Sequence, residues 1–305
     1  MKNKKIAILT SGGDAPGMNS AILGAYEACA ERGIKLFGAL RGYDGLIDNE
    51  FVEMTSTLLA PYYNRGGSVI KSARSKRFLN KTYFNRAVKN LKDNNFDALI
   101  VIGGDGSLHG AIDLCKAGVK VVCIPATIDN DLNFSYTLGY DSAANIIVGA
   151  IDNISTTLTT FGYGAVIKIM GRECADLTNY VASAVHTPFT VKSADFDIEK
   201  LSKQIKKQHK ASEMPIVVLV LDDILDTVQL SKNLEEKCGF PFRPHILGYV
   251  QRGGNPSALD RKYGYEAGKK AVETCENETG VCIGLVKEEL VTKPITDCFK
   301  VGKNA

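Results

Sequence analysis

The chain has 305 residues, of which 45% are hydrophobic and 23% charged, and 37 basic against 34 acidic side chains leave a net charge of +3. This is the composition of a globular protein able to bury a sizeable core. So small a positive excess gives no general reason to expect nucleic acid or a membrane surface as partner, because either would need a concentrated basic patch.

In chain order, the apolar run Ile6–Thr10 reads as a strand, Met18–Arg32 as a helix and Lys35–Leu40 as a second strand. A helix over Lys81–Asn94 precedes the strand Ala98–Ile102, and a helix over Gly110–Lys116 precedes the strand Val119–Ile124. Beyond these come a helix Asp141–Thr157, strand Ala165–Ile169, helices Leu177–Val185 and Ile198–His209, strand Ile216–Leu221 and helix Val228–Cys238. Strands that are apolar along their whole length are covered on both faces, and their alternation with helices implies βαβ units and parallel sheets. At roughly 150 residues per domain, the length fits two domains or one large α/β unit.

Eight cysteines occur without a CxxC pair, several inside apolar runs such as that of Cys123. A chain of this size is expected to keep them as reduced, small hydrophobic residues. The N-terminal apolar run of five residues is too short for a signal peptide, and no stretch approaches the roughly 20 apolar residues of a membrane span. The expected location is the cytoplasm.

In open α/β sheets, ligands bind beyond the carboxyl ends of the strands. Four such ends carry glycine, acid or threonine: Ser11-Gly12-Gly13-Asp14, Gly103-Gly104-Asp105-Gly106-Ser107, Pro125-Ala126-Thr127-Ile128-Asp129-Asn130-Asp131 and Met170-Gly171-Arg172. The first allows close backbone approach to an anion at a helix start, or is a plain βα turn. In the second, Asp105 either meets Mg²⁺, which takes one or two carboxylates plus phosphate oxygens, or caps the next helix. The third places two carboxylates two residues apart beyond a strand end. Alone it is an Asx-rich turn, but beside two phosphate-type loops it forms a phosphoryl-transfer set of base, hydroxyl and acid. Arg74, Arg172, Arg243 and Arg252 each read alone as a surface arginine, but guanidinium forks match phosphate, and Arg74, Arg172 and Arg252, unlike Arg243 between Phe242 and Pro244, lie beside glycine or small residues whose backbone can approach a ligand. Neither GxxxxGK[ST] nor a convincing GxGxxG follows the first strand, which excludes a Walker-type nucleotide site.

The ordered set TSGGDAPGMN, Asn64-Arg65-Gly66-Gly67, Ser72-Ala73-Arg74, GGDGS, TIDND, MGR and QRGG resembles the bacterial, ATP-dependent 6-phosphofructokinase family over residues 5 to 290. The resemblance implies an α/β fold of two three-layer αβα domains with largely parallel sheets, residues 1–138 with 253–305 holding nucleotide and 139–252 holding sugar phosphate. It implies that Gly13 donates its N–H to the transferred phosphate and that Arg74 contacts the nucleotide phosphates. Asp105 would help hold Mg²⁺, and Tyr43, Ser75, Gly104, Gly106, Ser107 and Gly110 would border ATP. Thr127 would steady the phosphoryl group, Asp129 act as base for the sugar 1-hydroxyl and Asp131 support it, with Arg172 stabilising developing charge. Met170, Gly171 and Asp222 would line the sugar, and Arg243 and Arg252 grip its 6-phosphate, Arg243 from a neighbouring subunit. The implied assembly is a homotetramer. Gly106 and Ala126 stand where diphosphate-dependent members carry aspartate and lysine, which favours ATP.

Departures from the family pattern are Tyr163, in place of a second intersubunit arginine, and Tyr249, in place of a histidine. A lost charge-assisted hydrogen bond is worth about 1.5–3 kcal/mol, so weaker fructose 6-phosphate binding or another sugar phosphate is expected. A catalytically weak regulatory subunit is the alternative of a different class. The positions matching the family's effector pocket, Leu23, Glu27, Ser56, Ser155 and Pro188, lack its basic character, which implies little ADP or phosphoenolpyruvate control. The end at Ala305 implies a shortened final helix.

Overall fold

A computed structural model describes residues 4–212 and 214–300; the final segment, 301–305, on which the shortened helix was expected, lies outside them. In chain order the first elements are β1 (Lys5–Ser11), α1 (Met18–Glu31), β2 (Lys35–Ala39), α2 (Tyr43–Asp48), β3 (Phe51–Glu53), α3 (Ser56–Leu59), α4 (Lys81–Asp93), β4 (Ala98–Gly103), α5 (Asp105–Lys116) and β5 (Val121–Pro125). The middle of the chain forms α6 (Tyr140–Phe161), β6 (Gly164–Ile169), α7 (Asp176–Ala184), β7 (Thr190–Val191), α8 (Ile198–Ala211), β8 (Ile216–Leu221) and α9 (Thr227–Cys238). It closes with β9 (Phe242–Ile246), α10 (Val250–Gly253), α11 (Ala258–Asn277), β10 (Val281–Val286) and β11 (Glu289–Pro294).

The chain divides into two compact units, Met1–Ser142 with Arg252–Ala305, and Ala143–Gln251. In the first, seven strands run in the order β11-β10-β5-β4-β1-β2-β3, parallel from β10 to β2 and antiparallel at both edges. Every residue of β4 and β5 is buried, as their uninterrupted apolar sequences demand. In the second unit, four parallel strands run β7-β8-β6-β9 around a core that includes Val166, Val218, Val220, Leu234 and Phe242.

Several elements differ from expectation. α5 begins at Asp105, five residues before the expected start at Gly110, so the acid is the first helical residue and Gly104 the N-cap. β9 was not expected, since it is a largely exposed edge strand with Pro244 inside it; proline is tolerated only at such edges or bulges. α11 was also missed, because its contact face is made of small residues. It packs along α1 so closely that a Cβ on Gly24 would lie 2.0 Å from the Tyr265 carbonyl oxygen and one on Gly268 2.0 Å from that of Ala21.

A buried carboxylate joins the start of α11 to the start of α6. Asp260, fully buried, accepts from the Tyr136 hydroxyl, from the Gly139 N–H at 2.6 Å and from the Ser142 N–H at 2.9 Å. Burial pushes its pKa up, against the pull of the Ser142, Tyr136 and Gly139 hydrogen bonds.

Candidate active site

In the first unit β1, β4 and β5 lie side by side with their carboxyl ends level: Ser11 pairs in register with Gly103, and Gly103 with Pro125. The three glycine- and acid-rich loops therefore leave one sheet edge together. Their contacts are close. A Cβ on Gly103 would lie 2.4 Å from Ser107 Oγ and 2.6 Å from the Ser11 carbonyl oxygen, and one on Gly104 would lie 3.3 Å from the Thr127 Cβ. Thr127, at the head of the segment 127–131, thus packs against Gly104. Gly12, at φ +84°, makes the turn after β1, and its N–H donates to the Ala73 carbonyl at 3.1 Å while its own carbonyl accepts from Ser72 Oγ at 3.0 Å. These bonds bring the Ser72–Arg74 segment to the first loop, with the Arg74 side chain exposed.

Asp129 and Asp131 are 8% and 4% exposed, largely out of bulk water, where a carboxylate interacts strongly with nearby charge. The Asp129 N–H donates to Thr127 Oγ1 at 3.2 Å, and Thr137 Oγ1 donates to the Thr127 carbonyl at 2.7 Å. Thr127 is therefore fixed from two sides. Asp105 sits at the positive end of the α5 dipole with His109 one turn along, 4.0 Å away.

Arg252 lies over the first loop. Its Nε donates to the Asp14 carbonyl at 3.0 Å and pairs with the Asp14 carboxylate at 3.1 Å. A Cβ on Gly13 would lie 1.9 Å from the Arg252 guanidinium, so a side chain there would have to displace that guanidinium. Two residues expected to border ATP have other structural work. Tyr43 is 4% exposed, stacks on Phe78, donates its hydroxyl to the Ser107 carbonyl at 2.6 Å and fills the space above Gly110. Ser75 Oγ donates to Asp44 at 2.6 Å and accepts from the Phe78 N–H at 3.2 Å. Gly106 faces open space.

A family profile described as phosphofructokinase matches residues 5–275. The chain belongs to the phosphofructokinase family. It is 38% identical to an ATP-dependent 6-phosphofructokinase of Clostridium botulinum (strain Eklund 17B / Type B) over 98% of this chain and 94% of that one. It is 37% identical to one from Clostridium tetani, again over 98% and 94%. Among solved structures it resembles Pichia pastoris phosphofructokinase in the T-state, with a TM-score of 0.90 and 28% identity; the match covers 97% of this chain but 35% of that longer one.

In the second unit of this phosphofructokinase, β6 and β8 end level, Ile169 opposite Leu221, and the Asp222 N–H donates to the Ile169 carbonyl at 2.8 Å. Asp222 therefore stands beside Met170, whose N–H donates to Gln251 Oε1 at 2.9 Å. Gly171 and Arg172 turn the chain with positive φ, and the Arg172 side chain is exposed. Sequence reasoning missed Lys168: its ammonium lies 2.7 Å from Asp222 and 3.6 Å from Asp223, and the hydrogen bond to Asp222 is the main cause of its raised pKa. Arg243 is held between the Glu235 carboxylate at 3.8 Å and the Tyr163 ring, while Tyr249 is 80% exposed. Of the expected effector positions, Ser155 lines a cavity of about 420 Å³ with Asp152, His186, Thr187 and Gln208; among the described residues no lysine or arginine lines it.

Proposed function

We propose that this phosphofructokinase transfers the γ-phosphoryl group of ATP to the 1-hydroxyl of fructose 6-phosphate, yielding fructose 1,6-bisphosphate and ADP, as a glycolytic enzyme. The observation that carries this reading is the level register of β1, β4 and β5, with Gly104 packed on Thr127, which gathers glycine amides, Asp105 and Asp129 at one edge. Phosphoryl transfer asks mainly for positioning and charge neutralisation, which such a set supplies.

Asp129 takes the hydroxyl proton as oxygen attacks phosphorus; buried beside Thr127, it is a base shielded from water. Thr127 and the Gly13 N–H steady the phosphoryl group, Asp131 supports Asp129, and Arg74 and Arg172 balance the charge. The residues fit Mg²⁺: Asp105 at the start of α5, beside the glycine-rich loops, supplies the one carboxylate that this ion takes together with phosphate oxygens. Bound there with ATP, Mg²⁺ would neutralise phosphate charge.

The first unit is read as the nucleotide domain and the second as the sugar-phosphate domain, with Met170, Gly171 and Asp222 on the sugar and Arg243, Arg252, Tyr163 and Tyr249 around its 6-phosphate. A homotetramer that lends Arg243 to a neighbour's site accords with the exposure of that side chain. No helix among the described residues is long and apolar enough to cross a membrane, in keeping with a cytoplasmic place for the enzyme.

A coupled assay for ADP release across ATP, diphosphate and a panel of sugar phosphates tests the reading. Fructose 6-phosphate with ATP should give turnover, and Asp129→Asn should lose about 10²–10⁴-fold in kcat. Full activity in that variant would remove Asp129 as base.

A further inference from the structure

The segment 295–300 runs alongside the loop that carries the two buried acids. Phe299 and Leu132 form an antiparallel bridge, and the Asn133 N–H donates to the Cys298 carbonyl at 2.7 Å. Asn133 Nδ2 donates to the Asp297 carbonyl at 3.0 Å, and Lys293 Nζ donates to the Asn133 carbonyl at 2.8 Å. Beyond this strap, Lys300 Nζ donates to the Asn130 carbonyl at 2.8 Å.

Asn130 is the residue between Asp129 and Asp131, and its backbone is left-handed, with φ at 49°. Asparagine enters this region more readily than other non-glycine residues, and the Lys300 ammonium on its carbonyl, a charge-assisted bond and so of the stronger kind, holds it there. The Thr137 hydroxyl, whose proton goes to the Thr127 carbonyl at 2.7 Å, lies 3.2 Å from Asn130 Oδ1. Turning the peptide that follows Asn130 would swing Asp131, and with it the chain that aims Asp129.

We propose that Lys300 is a positioning residue for phosphoryl transfer: by holding the Asn130 carbonyl it fixes the directions of Asp129 and Asp131, and it adds positive charge beside an acidic loop. The inference rests on Asp129 as the base. Lys300 itself touches the loop backbone and is assigned no contact with substrate. Small displacements of reacting groups are costly in rate, on the order of 10²-fold for about 1 Å, so the effect belongs in kcat.

The test compares Lys300→Met, which keeps the apolar stem, with Lys300→Arg, which restores a charged donor. Asp129→Asn serves as control on the underlying reading. Lys300→Met should bind ATP and fructose 6-phosphate by calorimetry at the wild-type stoichiometry, with Kd values within about 3-fold of wild type, yet turn over about 10- to 100-fold more slowly. Lys300→Arg should recover most of that loss. A Lys300→Met kcat within twofold of wild type, while Asp129→Asn is inactive, would overturn the proposal and leave the base assignment standing. A loss of rate matched by a loss of binding stoichiometry, with no recovery by arginine, would overturn it in favour of a purely structural strap. An active Asp129→Asn would remove the ground for both.

Discussion

The guanidinium of Arg243 lies 4.6 Å from the centroid of the Tyr163 ring. The tyrosine that stands where an intersubunit arginine was expected therefore orients the remaining arginine instead of simply deleting a charge. A cation–π contact at an exposed site is worth about 0.5–1 kcal/mol, less than the 1.5–3 kcal/mol of a charge-assisted hydrogen bond. With Arg243 at the 6-phosphate as proposed, Tyr163 offsets only part of the loss. Tyr163→Phe should leave the KM for fructose 6-phosphate within about twofold, and Tyr163→Leu should raise it by about 2- to 5-fold. Tyr163→Arg should lower it by about tenfold or more. Steady-state kinetics on the three variants decides the matter, and a sub-millimolar wild-type KM unmoved by Tyr163→Arg would show that no bond is missing.

Lys168 is paired with Asp222 at a strand end beside Met170. On the proposed reading, in which Asp222 lines the sugar, removing the ammonium frees the carboxylate to turn away from it. Lys168→Met is expected to raise the KM for fructose 6-phosphate by about 3- to 10-fold while leaving the KM for ATP near its normal value. An unchanged sugar-phosphate KM would remove Asp222 from the sugar site.

The cavity beside Ser155 contains Asp152 and no lysine or arginine among the described residues. Glu27, another expected effector position, accepts a hydrogen bond from the Tyr265 hydroxyl. Anionic effectors are held chiefly by guanidinium, ammonium or imidazolium groups, and of these the cavity offers, among the described residues, the His186 side chain alone. Titration with ADP or phosphoenolpyruvate at sub-saturating fructose 6-phosphate should leave the saturation curve hyperbolic and unshifted; a sigmoidal displacement by either would contradict this.

Two glycines should respond in opposite directions. Gly268→Val would drive a side chain into the Ala21 carbonyl between α1 and α11, and an overpacked core contact costs about 1–3 kcal/mol or more. Gly149, inside α6 with open space around its Cβ direction, should gain about 0.5–1 kcal/mol when changed to alanine. Urea unfolding midpoints measure both.

Asp260→Ala leaves the Gly139 and Ser142 N–H groups and the Tyr136 hydroxyl without their acceptor, at about 1–3 kcal/mol for each buried group left unsatisfied. Burial raises the pKa of Asp260 above 3.8, so the folded state holds this proton more tightly than the unfolded chain does. The stabilising contribution is complete below the unfolded pKa and diminishes as pH rises through the folded value. The stability gap between wild type and Asp260→Ala should therefore be largest at the acidic end of a urea series that starts near the unfolded pKa of 3.8 and runs up to pH 8. A gap that widens towards pH 8 would reverse the sign assigned to burial.

The sequence alone determined the parallel strands and the chemical character of their ends. Runs such as Ala98–Ile102 and Ile216–Leu221 are apolar at every position, and only strands covered on both faces need that; glycines and acids follow them because close turns and phosphate both ask for the same local backbone. It could not reveal β9, whose exposed edge position and Pro244 carry no apolar period, or α11, whose contact with α1 is written in glycine and alanine. Tertiary structure alone decided that Tyr43 is core, that Arg252 crosses back to Gly13 and Asp14, that Lys168 pairs with Asp222 and that Lys300 holds Asn130. Local propensity acts over a few residues, whereas these pairings are set by sheet register and helix packing between segments far apart in the chain.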